Sequence, residues 1–444
     1  MTEDTTRRVH LAAHFPGVNN TTVWAHPDSG SHIEFDSFRR FAQTAERGLF
    51  DFFFLAEGLR LREDKGQVDV LDVAGRPNTL TALAALAAVT RRIGLVGTLS
   101  TTFNEPYELA RQIASVDVLS GGRAAWNAVT TPDSFTGANF RRGGFLDYAD
   151  RYHRAVDFIA SARELWDAGP HGEVRHSTDF FTFSSPGGIP TPVQGHPVVF
   201  QAGNSPAGRD FAAGSADVIF TLNNGLEDGQ KFYADVHERL RRFGRSDDSL
   251  KIYPGISFFI GDTPEQAQEH RLDIEYQQVS GAGAIAFVER VWNRDLSSYD
   301  PDGPLPEVDP VVEDPNKPAS QGREVRYNQD APATVAKWRA LAEAENLSIR
   351  DLVVRVSRRA ALVGTPAQIA EDLIHRVQNF AADGYILVPP ITPGGLDEFV
   401  DRVVPELQER GAYPERYEGT TLRDHLGLPA ARPAADWAAA RANA

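Results

Sequence analysis

The side chains best suited to chemistry in this chain are amides and hydroxyls placed where short apolar runs end. Asn127, Thr130 and Thr131 close the run Arg123–Val129, and Ser100, Thr101 and Thr102 close Ile93–Ser100. Gln201, Gly203, Asn204 and Ser205 close His196–Gly203, and Asn223 and Asn224 follow Ala216–Leu222. Glu57 follows Phe50–Ala56, and His14 sits near the end of Val9–Phe15. Such groups hold a ligand by hydrogen bonds; they do not by themselves attack one. There is no HExxH metal helix, no GxSxG nucleophile elbow and no carboxylate triplet for a metal. The absence of cysteine removes thiol nucleophiles, disulfides, cysteine zinc sites and iron–sulfur clusters. A rim of donors and acceptors without a protein nucleophile suits a cofactor that brings its own reactivity.

Two stretches sharpen this reading. In "QAGNSPAG" (Gln201–Gly208) an apolar run meets Gly, then Asn-Ser, then Pro at a first helical turn. Ser205 there caps a helix, and the same geometry leaves free backbone N–H groups that suit a phosphate; the segment alone fits both. In "GGRAAWNAVTTPDS" (Gly121–Ser134), Asn127 either hydrogen-bonds the edge of a planar heterocycle or closes the run in an Asx-type turn. Trp126 beside it reads as a packing residue. His14 either donates to a bound ligand or is a satisfied buried imidazole.

Position requires elements. Val9–Phe15, Phe50–Ala56, Ile93–Ser100, Arg123–Val129, His196–Gly203, Ala216–Leu222, Leu250–Gly261 and Tyr385–Pro390 read as eight buried strands. Helical spacing fills the intervals, as in Phe35–Arg47, Thr79–Val89, Pro106–Leu119, Ala149–Trp166 and Asp228–Phe243. Alternation of this kind predicts an α/β fold with a parallel sheet covered by helices, and eight repeats predict a (β/α)8 TIM barrel in one domain. Two Rossmann-like halves are the alternative, but no GxGxxG follows the first strand. The rhythm breaks near 169–194, where "FFTFSS" suggests a hairpin strand, and near 281–334, an Asp-, Pro- and Ser-rich stretch that reads as a surface insertion. A C-terminal extension occupies about 411–444. In such a barrel, ligands sit at the C-terminal strand ends, where the polar residues above would converge.

The formal net charge of −16 argues against nucleic acid and anionic membrane as partners, though a local site can still be positive. The N-terminus lacks the apolar core of a signal peptide, and no run reaches about 18 apolar residues, so a cytoplasmic protein is expected.

"LSGGRAAWNAVTT" (Leu119–Thr131) resembles the "LSGGRxSWNxVTS" segment of bacterial-luciferase-like flavin monooxygenases. Within them it resembles the group related to nitrilotriacetate monooxygenase, dibenzothiophene-sulfone monooxygenase and the larger subunit of pristinamycin IIA synthase. "ERGLFDFFFLAEGL", "STTFNEPYELARQIASVD", "RYHRAVDF", "PVVFQAGNSPAGRDFAA", "GTPAQIAEDL", "AADGYILVPP" and "YEGTTLRDHLGL" are similar to that family in the expected order. The resemblance implies a luciferase-like barrel, a homodimer or homotetramer, and reduced FMN supplied by a separate NAD(P)H:FMN reductase. It implies that dioxygen adds at flavin C4a and that the resulting peroxide oxidises a small organic substrate. A flavin-dependent dehydrogenase or oxidase of a secondary metabolite, or a deazaflavin-dependent oxidoreductase, is the alternative. Carried over by position, the phosphate site falls on Gly203, Asn204 and Ser205, and the ring and ribityl contacts on Glu57, Thr101, Asn127 and Tyr152. His14 and His26 are the candidates for holding the peroxide, with backbone N–H groups near Thr101 as a third. Phe15, Phe54, Phe103 and Trp126 are expected as walls and the inserts as lids. The family often has Asp at Glu57 and His at Tyr148, and its "HGAWRHP" reads "TTVWAHP" here. These departures fall where substrate would meet flavin, so the relatives' substrates are not carried over.

Overall fold

The computed structural model describes residues 7–16, 22–64, 66–69, 72–131, 134–140, 150–312 and 330–442. Its centre is a closed ring of parallel strands: β1 (His10–Phe15), β2 (Phe52–Leu55), β3 (Gly94–Ser100), β4 (Ala124–Val129), β5 (Val198–Gln201), β6 (Val218–Thr221), β7 (Lys251–Ile260) and β8 (Gly384–Leu387). Each strand pairs with the next in the chain, and β8 returns to β1 with His10 opposite Gly384. Helices cover the outside, so both faces of every strand are buried, which is why the strands read as continuous apolar runs. The (β/α)8 barrel expected from the sequence is the fold observed.

Alternation along the strands sorts the side chains. Ala12, Phe52, Phe54, Val96, Ala125, Val198, Phe200, Val218, Tyr253 and Ile386 point inward and fill the barrel. Leu11, Ala13, Phe15, Phe53 and Leu95 point outward against the helices. The C-terminal segment plugs the N-terminal end: Leu422, Leu426 and Leu428 join the interior cluster, and Leu422 lies where a Cβ on Gly94 would stand.

Three features differ from the sequence reading. A short strand, Ala361–Gly364, pairs with the far half of β7 from Ser257 onward. At ten residues β7 outruns its neighbours, and the excess needs a partner. The stretch near 281–334 is not all surface loop. Gly281–Trp292 is a helix whose Ala284, Val288 and Trp292 pack with Val335, Trp338, Ile349 and Leu352 in a core of their own. This unit docks on the loop after β2 through Arg290 and Asp69, 2.9 Å apart and nearly excluded from solvent. The 169–194 stretch does form a hairpin, Val174–Ser177 with Thr182–Ser185. It is clamped to helix Arg151–Ala168, where His176 bonds Asp157 and Glu164 at 3.0 and 2.9 Å and Phe181 packs edge-on to Phe158. Its contacts are with outer helix faces, so it is no lid over the strand ends. Among the described residues no helix is long and apolar enough to cross a membrane.

Candidate active site

The inward positions at the C-terminal ends of β1 to β4 form the floor of the barrel mouth. Asn127 of β4 is buried, and its Nδ2 donates to Thr98 Oγ1 of β3 at 3.0 Å. Its Oδ1 is also buried and, among the described residues, has no donor. His14 of β1 stands edge-on to Phe54 with ring centroids 5.3 Å apart, and its buried Nε2 likewise has no partner. A buried polar atom left unbonded costs about 1–3 kcal/mol, so two of them at one mouth point to a ligand that supplies the missing bonds. Burial first, then the charges of Arg76 and Arg359, push the His14 pKa down to about 3, so the ring is neutral at neutral pH. Phe54 lies near-parallel to Phe220 of β6, with centroids 6.3 Å apart, and makes the apolar part of the floor.

Across the ring, the chain leaving β5 makes a different surface. Ser205 caps helix Pro206–Ser215, its Oγ accepting the Gly208 N–H at 3.1 Å. Pro206 has no N–H, and the N–H groups of Asn204, Ser205 and Ala207 have no acceptor among the described residues. They lie at the positive end of the helix dipole, an arrangement suited to an anion. The loop can lie so close to the helix only because glycines meet there: a Cβ on Gly203 would stand 2.7 Å from Gly208 Cα, and one on Gly208 2.8 Å from Gly203 Cα. The Tyr152 hydroxyl is 3.0 Å from that same Gly208 Cβ position, which brings Tyr152 to the loop from the start of helix Arg151–Ala168. Thr221 at the end of β6 donates to Asn204 Oδ1 at 2.9 Å and fixes the loop from the other side.

The structure thus gathers Gly203, Asn204, Ser205 and Tyr152 on one side of the mouth and places His14 and Asn127 on its floor. Glu57 turns to helix Thr79–Val89, its Oε1 accepting the Thr79 N–H at 3.2 Å and lying 3.5 Å from Asn78 Nδ2. Burial pushes its carboxyl above the usual range, with the Thr79 bonds and Arg76 pulling the other way. Thr101 is fully buried at the end of β3, and both its N–H and its Oγ donate to Val129 O, at 2.9 and 3.1 Å. The neighbouring N–H groups of Thr102 and Phe103 go to Ser100 Oγ. These amides are therefore committed within the protein and cannot also hold an oxygen species, although the Thr101 hydroxyl can still accept.

His26 is held in a local turn: its N–H donates to Val23 O and its Nδ1 accepts the Asp28 N–H at 3.2 Å. Two of the expected walls face the helices instead. Trp126 packs on Phe158 and donates to Leu99 O at 3.0 Å, and Phe15 stacks on Phe38 with centroids 4.3 Å apart. Phe103 stacks on Phe140 in the loop beyond β3. Tyr148 lies outside the described residues. The sequence reading missed Thr98, Phe220, Arg76 and His32. His32 packs on the rings of Phe15 and Trp24, with its pKa pushed down to about 4 by burial and by Arg76. Nothing in the local sequence marks His32 or Arg76: a lone His and a lone Arg in polar loops carry no periodic signal.

Residues 16–384 match the model of the luciferase-like monooxygenase family. The chain belongs to this family. Over 448 residues this luciferase-like monooxygenase is 39% identical to nitrilotriacetate monooxygenase component A of Aminobacter aminovorans, with 92% of this chain and 93% of that protein covered. It is 37% identical to N-acetyl-S-(2-succino)cysteine monooxygenase of Bacillus subtilis (strain 168), over 95% of this chain and 97% of that one. A solved structure of riboflavin lyase, with modified FMN and riboflavin, superposes with a TM-score of 0.75 at 27% identity, covering 97% of this chain and 99% of the other. The luciferase-like fold and the monooxygenase class of enzyme follow from these matches.

Proposed function

We propose that the chain is a reduced-FMN-dependent monooxygenase that oxidises a small organic molecule and draws its flavin from a separate reductase. The observation that carries this is the pairing of two unbonded buried atoms, His14 Nε2 and Asn127 Oδ1, with an N–H-lined, glycine-tight loop across the mouth. FMN has a matching form: a planar ring with N–H and C=O edges, a hydroxylated chain and a terminal phosphate. Reduced FMN, when bound, supplies the electrons with which dioxygen is divided between product and water.

The residues present fit that group. The free N–H groups of Asn204, Ser205 and Ala207, with the Tyr152 hydroxyl beside them, would hold the phosphate. Asn127 Oδ1 would accept an N–H of the ring, its amide held in place by Thr98. The Thr101 hydroxyl and Glu57 would meet the ring or the ribityl chain. Glu57 does so less directly, because its Oε1 already serves Thr79. His14, neutral in the working pH range, offers one hydrogen bond to the reacting oxygen or the substrate without bringing a charge. Phe54 and Phe220 keep the floor dry, and fixed dipoles act more strongly where water is excluded.

Anaerobic titration with reduced FMN tests the placement. Asn127→Ala combined with Ser205→Ala should weaken binding at least tenfold, and unchanged affinity would put the flavin elsewhere. Isotope-labelled dioxygen then separates oxygenation from dehydrogenation, the label entering the product only in the first.

A further inference from the structure

Among the described residues, Arg76 is a charge without a hydrogen-bond or ion-pair partner. It lies in the connection from β2 to helix Thr79–Val89, partly buried, with its guanidinium carbon 5.8 Å from the centre of the Phe15 ring at the end of β1. From there its charge reaches His14, His32 and Glu57, which places it over the β1–β2 side of the mouth. Yet among the described residues the guanidinium makes no hydrogen bond and no ion pair. Other sheltered arginines behave differently. Arg62 is bound to Asp72 and Arg290 to Asp69, and Arg123 gives its donors to Ser120, Thr90, Ile93 and Ala87. Glu57, the carboxylate whose charge acts on Arg76, gives its Oε1 to the Thr79 N–H instead of closing on the guanidinium. A guanidinium that is partly stripped of water and left unpaired is costly unless a ligand completes it.

The ligand's chemistry follows from the donors. Arginine presents a planar fork of N–H groups that a carboxylate meets with two parallel bonds. Arg359 adds a second positive charge acting on the same floor. In an eight-stranded ring β1 stands opposite β5, so this cationic side faces the N–H-lined loop from across the mouth. An acidic protein, with a formal charge of −16, needs such a local cation to take up an anion at all.

We propose that Arg76 receives a carboxylate of the substrate, so that this monooxygenase acts on an organic acid. The proposal rests on the reading of the mouth as the flavin site. The one other source of anionic oxygens in that reading is the flavin phosphate, and the experiment separates the two.

Calorimetric titrations under argon would use protein loaded with reduced FMN, with nitrilotriacetate, succinate and N-acetyl-S-(2-succino)cysteine as probes and the trimethyl ester of nitrilotriacetate as the uncharged control. Wild-type protein should bind at least one of the acids and not the ester. Arg76→Gln should weaken that binding at least tenfold and Arg76→Lys less, while affinities for reduced FMN and reduced riboflavin stay within twofold. Three results would overturn the proposal. In the first, none of the acids binds wild-type protein that does bind reduced FMN. In the second, Arg76→Gln binds the acids as wild type does. In the third, Arg76→Gln weakens reduced FMN but not reduced riboflavin, which would assign the arginine to the flavin phosphate. Acid binding that depends on Arg76 in protein that takes up no reduced FMN would support the role of Arg76 and defeat the flavin reading instead.

Discussion

The two sides of the barrel mouth are built on opposite plans. The β5–β6 side is backbone: a few consecutive residues, Gln201–Gly208, offer N–H groups at a helix start, and close glycine contact fixes their positions. The β1–β2 side is side chains: His14, His32 and Glu57 come from separate stretches of chain and all feel the charge of Arg76, and Arg359, just before the strand that pairs with β7, acts on His14 as well. Backbone donors cannot ionise, and their placement is set by local geometry. A cluster of titratable groups can be retuned by a single substitution. The difference teaches where to expect constancy and where to expect change: a holder for a common cofactor suits the first plan, and a holder for a particular substrate suits the second.

That contrast can be broken experimentally. The largest effect should come from Gly208→Val. Its Cβ would stand 2.8 Å from Gly203 Cα and 3.0 Å from the Tyr152 hydroxyl, so loop and helix must separate. Thermal unfolding should show a loss of about 1–3 kcal/mol, and reduced-FMN affinity should fall more than tenfold. Wild-type values would mean that the loop is not rigid. Ser205→Ala is milder. It removes a cap worth about 1 kcal/mol and should weaken FMN while leaving riboflavin unaffected, since only FMN has the phosphate. Equal losses for both flavins would detach Ser205 from the phosphate.

On the other side, pH is the probe. The His14 pKa falls from 6.5 to about 3 in the folded protein, so below pH 6.5 the unfolded chain binds the extra proton and the folded one does not. Stability is therefore lost as pH falls through that window and fully present above it. His14→Gln should flatten the stability curve between about pH 6.5 and pH 3, as measured by denaturant unfolding at each pH; an unchanged slope would contradict the burial of the ring. The smallest effect is expected from Glu57→Gln. The amide oxygen can keep the Thr79 bond, so stability should move by less than about 0.5 kcal/mol. A large loss would mean that the carboxylate charge, and not its hydrogen bond, holds that corner.

Legibility followed the same division. The loop after β5 announces itself because every signal is local: apolar run, Gly, capping Ser, Pro at the first helical turn. Asn127 was legible as the polar end of an apolar strand. What misled was facing. Phe15 is aromatic, at a strand end and was expected as a wall, yet it lies on the helix side, whereas Trp126 packs on Phe158 as its reading as a packing residue anticipated. In a parallel barrel both faces of a strand are apolar, so alternation tells which residues share a face and not which face is inside. The buried helix Gly281–Trp292 was hidden for a related reason. It packs on helices about 50 residues further along, and the polar stretch between them dominates the local composition.

By itself, the sequence determined the count and order of the strands, and hence the barrel, because hydrophobic periodicity and turn residues are local properties. It also determined which end of the barrel carries the polar residues, and the form of the loop from Gln201 to Gly208. Only the tertiary structure decided the inward face of each strand, the commitment of the Thr101 amide to Val129, and the turning of Glu57 to its helix. It alone decided that Arg76 comes over the Phe15 ring, close enough for its charge to act on His14. Those outcomes depend on contacts between segments tens to hundreds of residues apart, and on the loss of water around charges, neither of which leaves a mark on neighbouring positions in the chain.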